Sequence, residues 1–389
     1  MNEILGKPIT DIPGLEFDCS CGKKHSVSIK NIIIGRDNMD VVAKLTAYYG
    51  SKKIFMMSDT NTYRIAGKAL ERLLIKEGFN LDSYVFKNYA ALIPDEKSLG
   101  RLLVEISRET GLIISVGSGT LNDLARMLSS KMHIPYYIFA TAPSMDGYAS
   151  TVSPLIIEGF KQTYEAVYPD SIIADISILK NAPMPMIQAG FGDIIGKLNC
   201  LTDWTLSREL NGEYYCETIV KLVRSAVQKC IDNMDGIQKR DESAIQNITE
   251  ALILSGIAMG LIGNSRPASG AEHHLAHYWE IDALKHGREH PLHGNSVGVA
   301  TVVVSSIYEM MADRIPAACK PAKSAEIASM LRHIGANDNP KSLGISRELF
   351  YESILHAKEV RPRYTVLQLA STYGLLEKFA DELTSRFYD

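Results

Sequence analysis

The stretch IISVGSGTLNDLARMLSSKMHIP, residues 113–135, decides the fold, because an apolar strand pattern leads through a glycine turn into a helical pattern. Gly117 and Gly119 would let a phosphate group approach the backbone. A helix beginning near Leu121 would direct its free N–H groups at that phosphate. An ordinary tight turn explains the same residues, and two glycines alone are weak evidence for a nucleotide site.

The rest of the first half repeats this alternation of strand and helix. Helical spacing is clearest over residues 61–78, where Ile65, Ala69, Leu73 and Ile75 are predicted to share a buried face. Short β-branched or aromatic runs predict strands at 31–35, 53–59, 82–88, 111–119, 135–141 and 171–179. The alternation predicts an α/β domain with a mostly parallel sheet covered by helices.

After residue 180 the apolar spacing becomes helical almost throughout. We therefore predict an α/β dinucleotide-binding domain over residues 1–180 and an all-helical metal- and substrate-binding domain over residues 181–389. The run ALILSGIAMGLIG, residues 251–263, is too short to span a bilayer and predicts a buried core helix.

Composition narrows the function classes. The chain has 389 residues, 46% of them hydrophobic, and a formal net charge of -4, with no basic stripe that would bind nucleic acid. Its six cysteines fit a reducing cytoplasm better than a disulfide framework. The first residues lack a signal-peptide pattern, so we expect a cytoplasmic protein with no membrane partner.

Cys19, Cys21 and His25 in CSCGKKH form a small cluster of possible metal ligands. The Cys-x-Cys spacing is short for two tetrahedral ligands, and the sequence indicates no fourth ligand. An exposed turn is the interpretation that the sequence favours here.

The glycine turn departs from the common dinucleotide fingerprint. Its third glycine would fall at Asn122, and no carboxylate lies in the usual place about 20 residues downstream. Asp59 instead ends the strand KIFMMSD upstream, where a carboxylate could accept both ribose hydroxyls. A carboxylate there would repel a 2′-phosphate and so predicts a preference for NAD over NADP.

Six of the ten histidines lie within residues 273–293. On a helix, His273 and His277 would share a face, whereas His274 would be rotated by about 100°. Asp193, His273 and His293 would supply one carboxylate and two imidazoles, leaving positions open for substrate oxygens, as in a catalytic metal site.

Several motifs together resemble the sn-glycerol-1-phosphate dehydrogenases, most closely a bacterial branch whose genes can accompany arabinose-utilisation genes. These enzymes belong to the iron-containing alcohol dehydrogenase and dehydroquinate synthase-like superfamily. The motifs are GSGTLNDLAR, ATAPSMDGYAS, GFGDIIGK, SRPASGAEHHLAH and HGNSVGVA, in the same order along nearly the whole chain. The resemblance implies a dehydroquinate synthase-like fold and reversible reduction of dihydroxyacetone phosphate to sn-glycerol 1-phosphate by NAD(P)H.

The resemblance also implies roles for individual residues. Asp193, His273 and His293 would bind one divalent metal ion, and Asp193 would also touch the substrate as a catalytic residue. His277 would bind the substrate and relay a proton, and Asp146 would contact the substrate. The implied cofactor residues are Asp59, Gly119, Thr120, Leu121, Asn122, Asp123, Thr141, Ala142, Pro143, Ser144 and Ser150.

Two positions depart from the wider pattern. Iron-type members carry a histidine four residues after the metal aspartate, where this chain has Lys197. A lysine cation would repel the ion, so we expect a three-ligand site holding zinc or nickel rather than iron. The spacing after His273 is longer than in some relatives, which makes His290 a rival of His293.

The substrate phosphate requires a cation. Arg266, just before the metal-binding helix, could grip it bidentately, and a surface arginine capping a turn is the equal alternative. The resemblance implies cytoplasmic phospholipid metabolism, and the apolar helices of the second half favour a homodimer. Three alternatives remain: a metal-dependent polyol dehydrogenase acting on unphosphorylated glycerol, a dehydroquinate synthase-like lyase, and a non-enzymatic metal-binding protein.

Overall fold

The computed structural model describes residues 4–50, 52–87 and 92–389. Its strands are β1 Glu16–Asp18, β2 Lys24–Ser26, β3 Asn31–Gly35, β4 Lys53–Asp59, β5 Leu81–Phe86, β6 Thr110–Gly117, β7 Tyr136–Ala140, β8 Val152–Ile157, β9 Phe160–Glu165 and β10 Ser171–Asp175. Its α-helices are α1 Met39–Thr46, α2 Thr60–Thr62, α3 Lys68–Lys76, α4 Glu96–Glu105, α5 Gly119–Met132, α6 Ile176–Leu179, α7 Met184–Asn211, α8 Glu217–Ile231, α9 Met234–Lys239, α10 Glu242–Ile262, α11 Ala271–Lys285, α12 His293–Met310, α13 Ser324–His333, α14 Arg347–His356, α15 Val366–Thr372 and α16 Leu376–Tyr388.

The predicted parallel sheet is confirmed. Six strands pair in the order β3-β10-β7-β6-β4-β5, and every pairing is parallel. All residues of β6, β7 and β10 are buried, as expected for strands covered on both faces. From β4 the chain moves outwards to β5 and then returns past β4 to β6, so the winding direction reverses between β4 and β6. Ligands of open α/β sheets bind at such a reversal, outside the carboxyl ends of the strands.

The ends of the predicted strands differ from those observed. Residues 176–179, predicted as part of the last strand, form α6, because Asp175 caps that helix by accepting a hydrogen bond from the N–H of Ser177. The predicted strand at 82–88 is observed as β5, and residue 88 lies outside the described residues.

The prediction of the buried face of the helix after β4 is wrong. A π-helical turn over Tyr63–Gly67 precedes α3 and rotates the chain. Ala66, Leu70 and Leu74 are buried, each one position later than the predicted Ile65, Ala69 and Leu73, and Ile65 and Ile75 are 48% and 59% exposed.

From α7 onwards the described residues contain helices and connecting turns, as predicted. The predicted core helix is confirmed as α10, which is longer than the apolar run at 21 residues. By length and composition α10 could cross a membrane, but 67% of its apolar window is buried within the protein. The division after residue 180 stays a proposal, because one continuous apolar core contains both Ile138 of the sheet and Ile194 of α7.

Two antiparallel hairpins, β1–β2 and β8–β9, escaped prediction. The first hairpin belongs to the sheet half of the sequence, yet it packs on the helical half, where His25 Nδ1 lies 2.7 Å from the carbonyl oxygen of Leu261. The turn is exposed at Ser20, Gly22 and Lys23, as predicted, but His25 beside it is only 2% exposed.

Candidate metal and nucleotide site

Asp193, His273 and His293 converge from three helices, α7, α11 and α12. Their potential ligand atoms all lie within 4.8 Å of one another. His273 Nε2 is 3.7 Å from Asp193 Oδ1, and the rings of His273 and His293 are 5.2 Å apart between centroids. The predicted carboxylate and two imidazoles are thus together, in the donor set typical of a catalytic divalent metal site.

Glycines allow the helices to approach closely enough for this convergence. A Cβ atom on Gly192 would lie 2.2 Å from the carbonyl oxygen of Gly294, and one on Gly294 would lie 1.8 Å from that of Ala189. Larger residues would push α7 and α12 apart. Because Asp193 and His293 adjoin these two glycines, the close crossing is what brings them together.

The histidines are held neutral and oriented. His273 Nδ1 lies 2.7 Å from Glu272 Oε1, which leaves Nε2 facing Asp193. Burial, reinforced by Lys197, holds the pKa of His273 well below its usual range, and burial lowers the pKa of His293 to about 4. His293 Nδ1 is buried without a hydrogen-bond partner among the described residues. Neutral imidazoles with a free ring nitrogen fit a divalent ion.

Lys197 is fully buried beside this cluster. Its Nζ lies 2.8 Å from Asp193 Oδ1 and 2.7 Å from Asp146 Oδ2, and it donates to the carbonyl oxygen of Ala268. Burial alone would lower its pKa, but Asp146 and Asp193 raise the pKa above its usual value. Lys197 therefore stays charged, and its position one turn after Asp193 agrees with a three-ligand site.

His277 lies beside the triad and between two cations. Its ring stacks on that of His293 at 5.2 Å. Its Nε2 accepts from Arg361 at 3.4 Å, and its Nδ1 donates to Glu280 Oε2 at 3.4 Å. Lys161 of β9 pairs with Glu280 at 2.6 Å. His277, Glu280 and His293 form a second possible metal group, but Lys161 already neutralises Glu280.

The rival histidines lie apart from this geometry. His274 is fully buried, burial lowers its pKa to about 3, and both its ring nitrogens lack partners within the described ranges. His290 is exposed, and its Nδ1 is 3.0 Å from the carbonyl oxygen of Pro291. Neither belongs to the metal groups found among the described residues.

Arg266 is placed differently from both predictions. It is 3% exposed, so it is not a surface residue. Its Nε and one terminal nitrogen donate to both carboxylate oxygens of Glu213 at 2.8 and 2.5 Å, and the other donates to the carbonyl oxygen of Tyr364. All three guanidinium nitrogens are engaged within the protein, so a phosphate grip by Arg266 is not supported. Arg361 and Lys161 are the cations that sequence reasoning missed.

The predicted nucleotide residues lie along one edge of the sheet. Gly117 of β6 pairs with Ala140 of β7, and the N–H of Thr141 donates to the carbonyl oxygen of Gly117. Asp59 ends β4, the other neighbour of β6. The carboxyl ends of parallel strands share an edge, so Asp59, the glycine turn and the loop from Thr141 border the same crevice, at the reversal of winding.

Some predicted cofactor residues support the crevice through contacts within the protein. Leu121 packs under the turn, and a Cβ on Gly117 would lie 2.3 Å from its Cδ1. Asn122 donates to the carbonyl oxygen of Gly147, and Asp123 pairs with the buried Arg126 at 2.7 Å. These side chains are engaged within the protein. The backbone N–H groups of the first turn are the part of this segment that suits a diphosphate.

The remaining predicted residues follow β7. Ser144 Oγ lies 3.0 Å from Ser118 Oγ, which caps α5. Ser150 Oγ is 3.2 Å from the carbonyl oxygen of Val152. Thr141, Ala142 and Pro143 form the buried segment between the end of β7 and Ser144.

A family model for iron-containing alcohol dehydrogenases matches residues 33–183. The crystal structure of maleylacetate reductase from a Rhizobium species aligns with a TM-score of 0.72 at 15% identity, covering 92% of this chain and 97% of that one. The match over this segment and the shared architecture show that the chain has the fold of the iron-containing alcohol dehydrogenases.

Curated relatives narrow this class. The chain is 34% identical to the glycerol-1-phosphate dehydrogenase (NAD(P)+) of Halalkalibacterium halodurans, covering 90% of this chain and 94% of the relative. It is 36% identical to the protein of the same name from Bacillus licheniformis, covering 92% and 93%. The chain belongs to the glycerol-1-phosphate dehydrogenase family.

Proposed function

We propose that this protein reversibly reduces dihydroxyacetone phosphate to sn-glycerol 1-phosphate with NAD(P)H. The observation that carries the proposal is the position of two cations beside the metal triad, because Lys161 Nζ and a terminal nitrogen of Arg361 lie 3.5 and 3.4 Å from the two ring nitrogens of His277. A ketone bound at the triad would then have its phosphate within reach of positive charge. The names of the curated relatives support the same reaction.

The triad suits the carbonyl end of the substrate. A divalent ion held by Asp193, His273 and His293 would act as a Lewis acid on the carbonyl oxygen. Asp146 adjoins this position, because its backbone N–H donates to Asp193 Oδ2 at 2.9 Å. Ser255 donates to Asp146 Oδ2 and, with Lys197, fixes that carboxylate beside the substrate.

Arg361 suits the phosphate end. It is largely buried, yet it forms no ion pair with any described carboxylate, and its one hydrogen bond is the 3.4 Å contact with His277. Burial lowers the pKa of Arg361, against the effect of Glu280. An anion would stabilise this under-used cation, and a guanidinium grips phosphate bidentately.

His277 is proposed to hold the proton exchanged during the reaction. Burial, with Lys161, lowers its pKa well below the usual range, so the imidazole is neutral at physiological pH. Its Nδ1 proton is held by Glu280, and Nε2 is the basic nitrogen facing Arg361. A neutral imidazole can accept a proton from the alcohol or hydrogen bond to the substrate hydroxyl.

The nicotinamide cofactor, NAD or NADP, supplies the hydride and is proposed to lie along the crevice from Asp59 to the glycine turn. We propose zinc or nickel as the metal, because Lys197 stands where iron-type members carry a fourth ligand. A homodimer and a cytoplasmic location are further proposals.

Oxidation of NADH by the zinc-loaded protein tests this function. We expect turnover with dihydroxyacetone phosphate. A chelator should abolish this turnover, and added zinc or nickel should restore it. Faster turnover with dihydroxyacetone would favour a polyol dehydrogenase. The proposal would be contradicted if the chelator did not change the turnover, or if dihydroxyacetone phosphate were not turned over. A lyase would need a more basic pocket, whereas Lys161 and Lys197 are both paired with carboxylates here.

A further inference from the structure

A second cluster of metal-binding side chains lies away from the dehydrogenase site and shares no residue with it. Cys19, Cys21, His25 and Cys216 bring three sulfur atoms and one imidazole nitrogen within 4.8 Å of one another. The sequence indicated three of these ligands. The fourth, Cys216, lies 191 residues after His25 and is fully buried.

We propose that these four residues bind one structural zinc ion. In a tetrahedral site with Zn–S of about 2.3 Å and Zn–N of about 2.0–2.1 Å, sulfur atoms lie ~3.8 Å apart and sulfur lies ~3.5 Å from nitrogen. Cys19 and Cys216 Sγ are 3.6 Å apart. His25 Nε2 is 3.3 Å from Cys21 Sγ and 3.6 Å from Cys216 Sγ.

Local structure explains why a Cys-x-Cys pair can join this site. Gly22 follows Cys21 with φ +86°, a left-handed conformation that glycine adopts readily. Its N–H donates to the carbonyl oxygen of Cys19, while the N–H of Cys19 donates to that of Lys23. The tight turn between β1 and β2 therefore presents Cys19 to Cys216 and Cys21 to His25 at once.

The imidazole has the orientation of a metal ligand. A carbonyl oxygen only accepts hydrogen bonds, so the 2.7 Å contact from His25 Nδ1 to the carbonyl of Leu261 places the proton on Nδ1. Nε2, among the cysteines, then carries the free lone pair. An outer hydrogen bond of this kind is the usual means of orienting a zinc-bound histidine.

The surroundings suit thiolates. The hydroxyl of Tyr214 lies 3.1 Å from Cys21 Sγ and can donate to it. Cys216 immediately precedes α8, a helix of 15 residues whose positive N-terminal end stabilises negative charge. Lys23 Nζ lies 3.7 Å from the centre of the Tyr214 ring, adding positive charge near three sulfurs.

Four protein ligands close a tetrahedral coordination sphere, which is the arrangement of a structural rather than a catalytic zinc. The site would fasten the β1–β2 hairpin to the start of α8, and through His25 to the end of α10. It would thus tie the first residues of the chain to the helical half.

Metal analysis of full-length protein, prepared with a reducing agent and loaded with zinc, tests the proposal. The wild type is expected to hold two zinc ions per chain, and His273→Ala is expected to keep one. Adding Cys216→Ser to His273→Ala should remove it. Cys230→Ser is the matched control, because Cys230 is a buried cysteine on the same helix outside the cluster.

Spectroscopy covers the case in which Cys216→Ser fails to fold. In the His273→Ala protein, X-ray absorption at the zinc edge should give three sulfur neighbours at about 2.3 Å and one nitrogen at about 2.0–2.1 Å. Zinc bound only by nitrogen and oxygen, or no zinc at all, would overturn the proposal. A Cys19–Cys216 disulfide in the reduced preparation, found by mass spectrometry, would also overturn it.

Discussion

Replacing Arg361 by methionine tests whether this residue binds the substrate phosphate. The side chain of methionine retains much of the apolar bulk and removes the charge and the donors. Arg361 forms no ion pair with a described carboxylate and makes one 3.4 Å hydrogen bond, to His277. Its removal therefore leaves no buried carboxylate unpaired, unlike removal of Lys161, which neutralises Glu280 at 2.6 Å.

The expected loss follows from the interaction that would be removed. A hydrogen bond to a charged group contributes about 1.5–3 kcal/mol, and about 1.4 kcal/mol changes an equilibrium or a rate tenfold. We therefore expect kcat/KM for dihydroxyacetone phosphate to fall by about 10- to 150-fold. Because an unphosphorylated ketone lacks the interacting group, kcat/KM for dihydroxyacetone should stay nearly constant.

Steady-state oxidation of NADH with both ketones measures this difference. Arg314→Met, which removes an exposed arginine beside Tyr373, is the control for loss of a positive charge. An equal decrease with both ketones would show that Arg361 acts on His277 or on the fold. That result would refute its assignment to the phosphate.

Four further substitutions test other parts of the site. His273→Ala should weaken zinc binding at the triad by more than about 100-fold, whereas His274→Ala should leave it unchanged, as measured by zinc titration; the reverse order would move the metal to His274. Asp59→Asn keeps a helix-capping side chain but removes the charge, so the efficiency with NADPH relative to NADH should rise at least about tenfold; an unchanged ratio would separate Asp59 from the ribose. Glu213→Gln breaks the bidentate pair with the buried Arg266 and should cost about 1–2 kcal/mol of unfolding free energy at pH 7, after allowance for the 31% exposure of the carboxylate. Burial raises the pKa of Glu213, but hydrogen bonds from Arg266 bring it below its ordinary value of 4.5. The difference from wild type in urea unfolding should therefore persist above pH 4.5 and shrink as the pH falls through that lowered pKa; a constant difference would contradict the pairing.

The sheet was predictable because its strands are buried on both faces and so appear as short, continuous apolar runs. The buried face of the helix after β4 was not predicted correctly. Ala66, Leu70 and Leu74 recur at the same helical spacing as Ile65, Ala69 and Leu73, so spacing alone does not choose between the two faces. Ile65 and Ile75 are exposed, although isoleucine is a residue type that favours burial.

The metal triad could be proposed from the sequence because histidine is rare and its spacing on a helix is readable. The two cations beside the triad, Lys161 and Arg361, could not be proposed from the sequence. Lys161 reaches Glu280 from the β8–β9 hairpin, 119 residues earlier, and Arg361 reaches His277 from 84 residues later. Neither has a motif of its own. Cys216 was missed for the same reason, since the contact between β1–β2 and α8 depends on how the two halves of the chain pack.

Lys197 connects these observations with the proposal of a three-ligand metal site. Burial raises the pKa of Asp146, and the neighbouring carboxylate of Asp193 raises it further. Without a cation, two adjacent buried carboxylates could not both remain ionised. The single positive charge of Lys197, within 2.8 Å of both, relieves that repulsion whether or not an ion is bound. A histidine at this position could donate a lone pair to the ion but would leave Asp146 to be neutralised by a proton. The lysine therefore takes the place of a fourth ligand and offsets part of the repulsion between the two carboxylates.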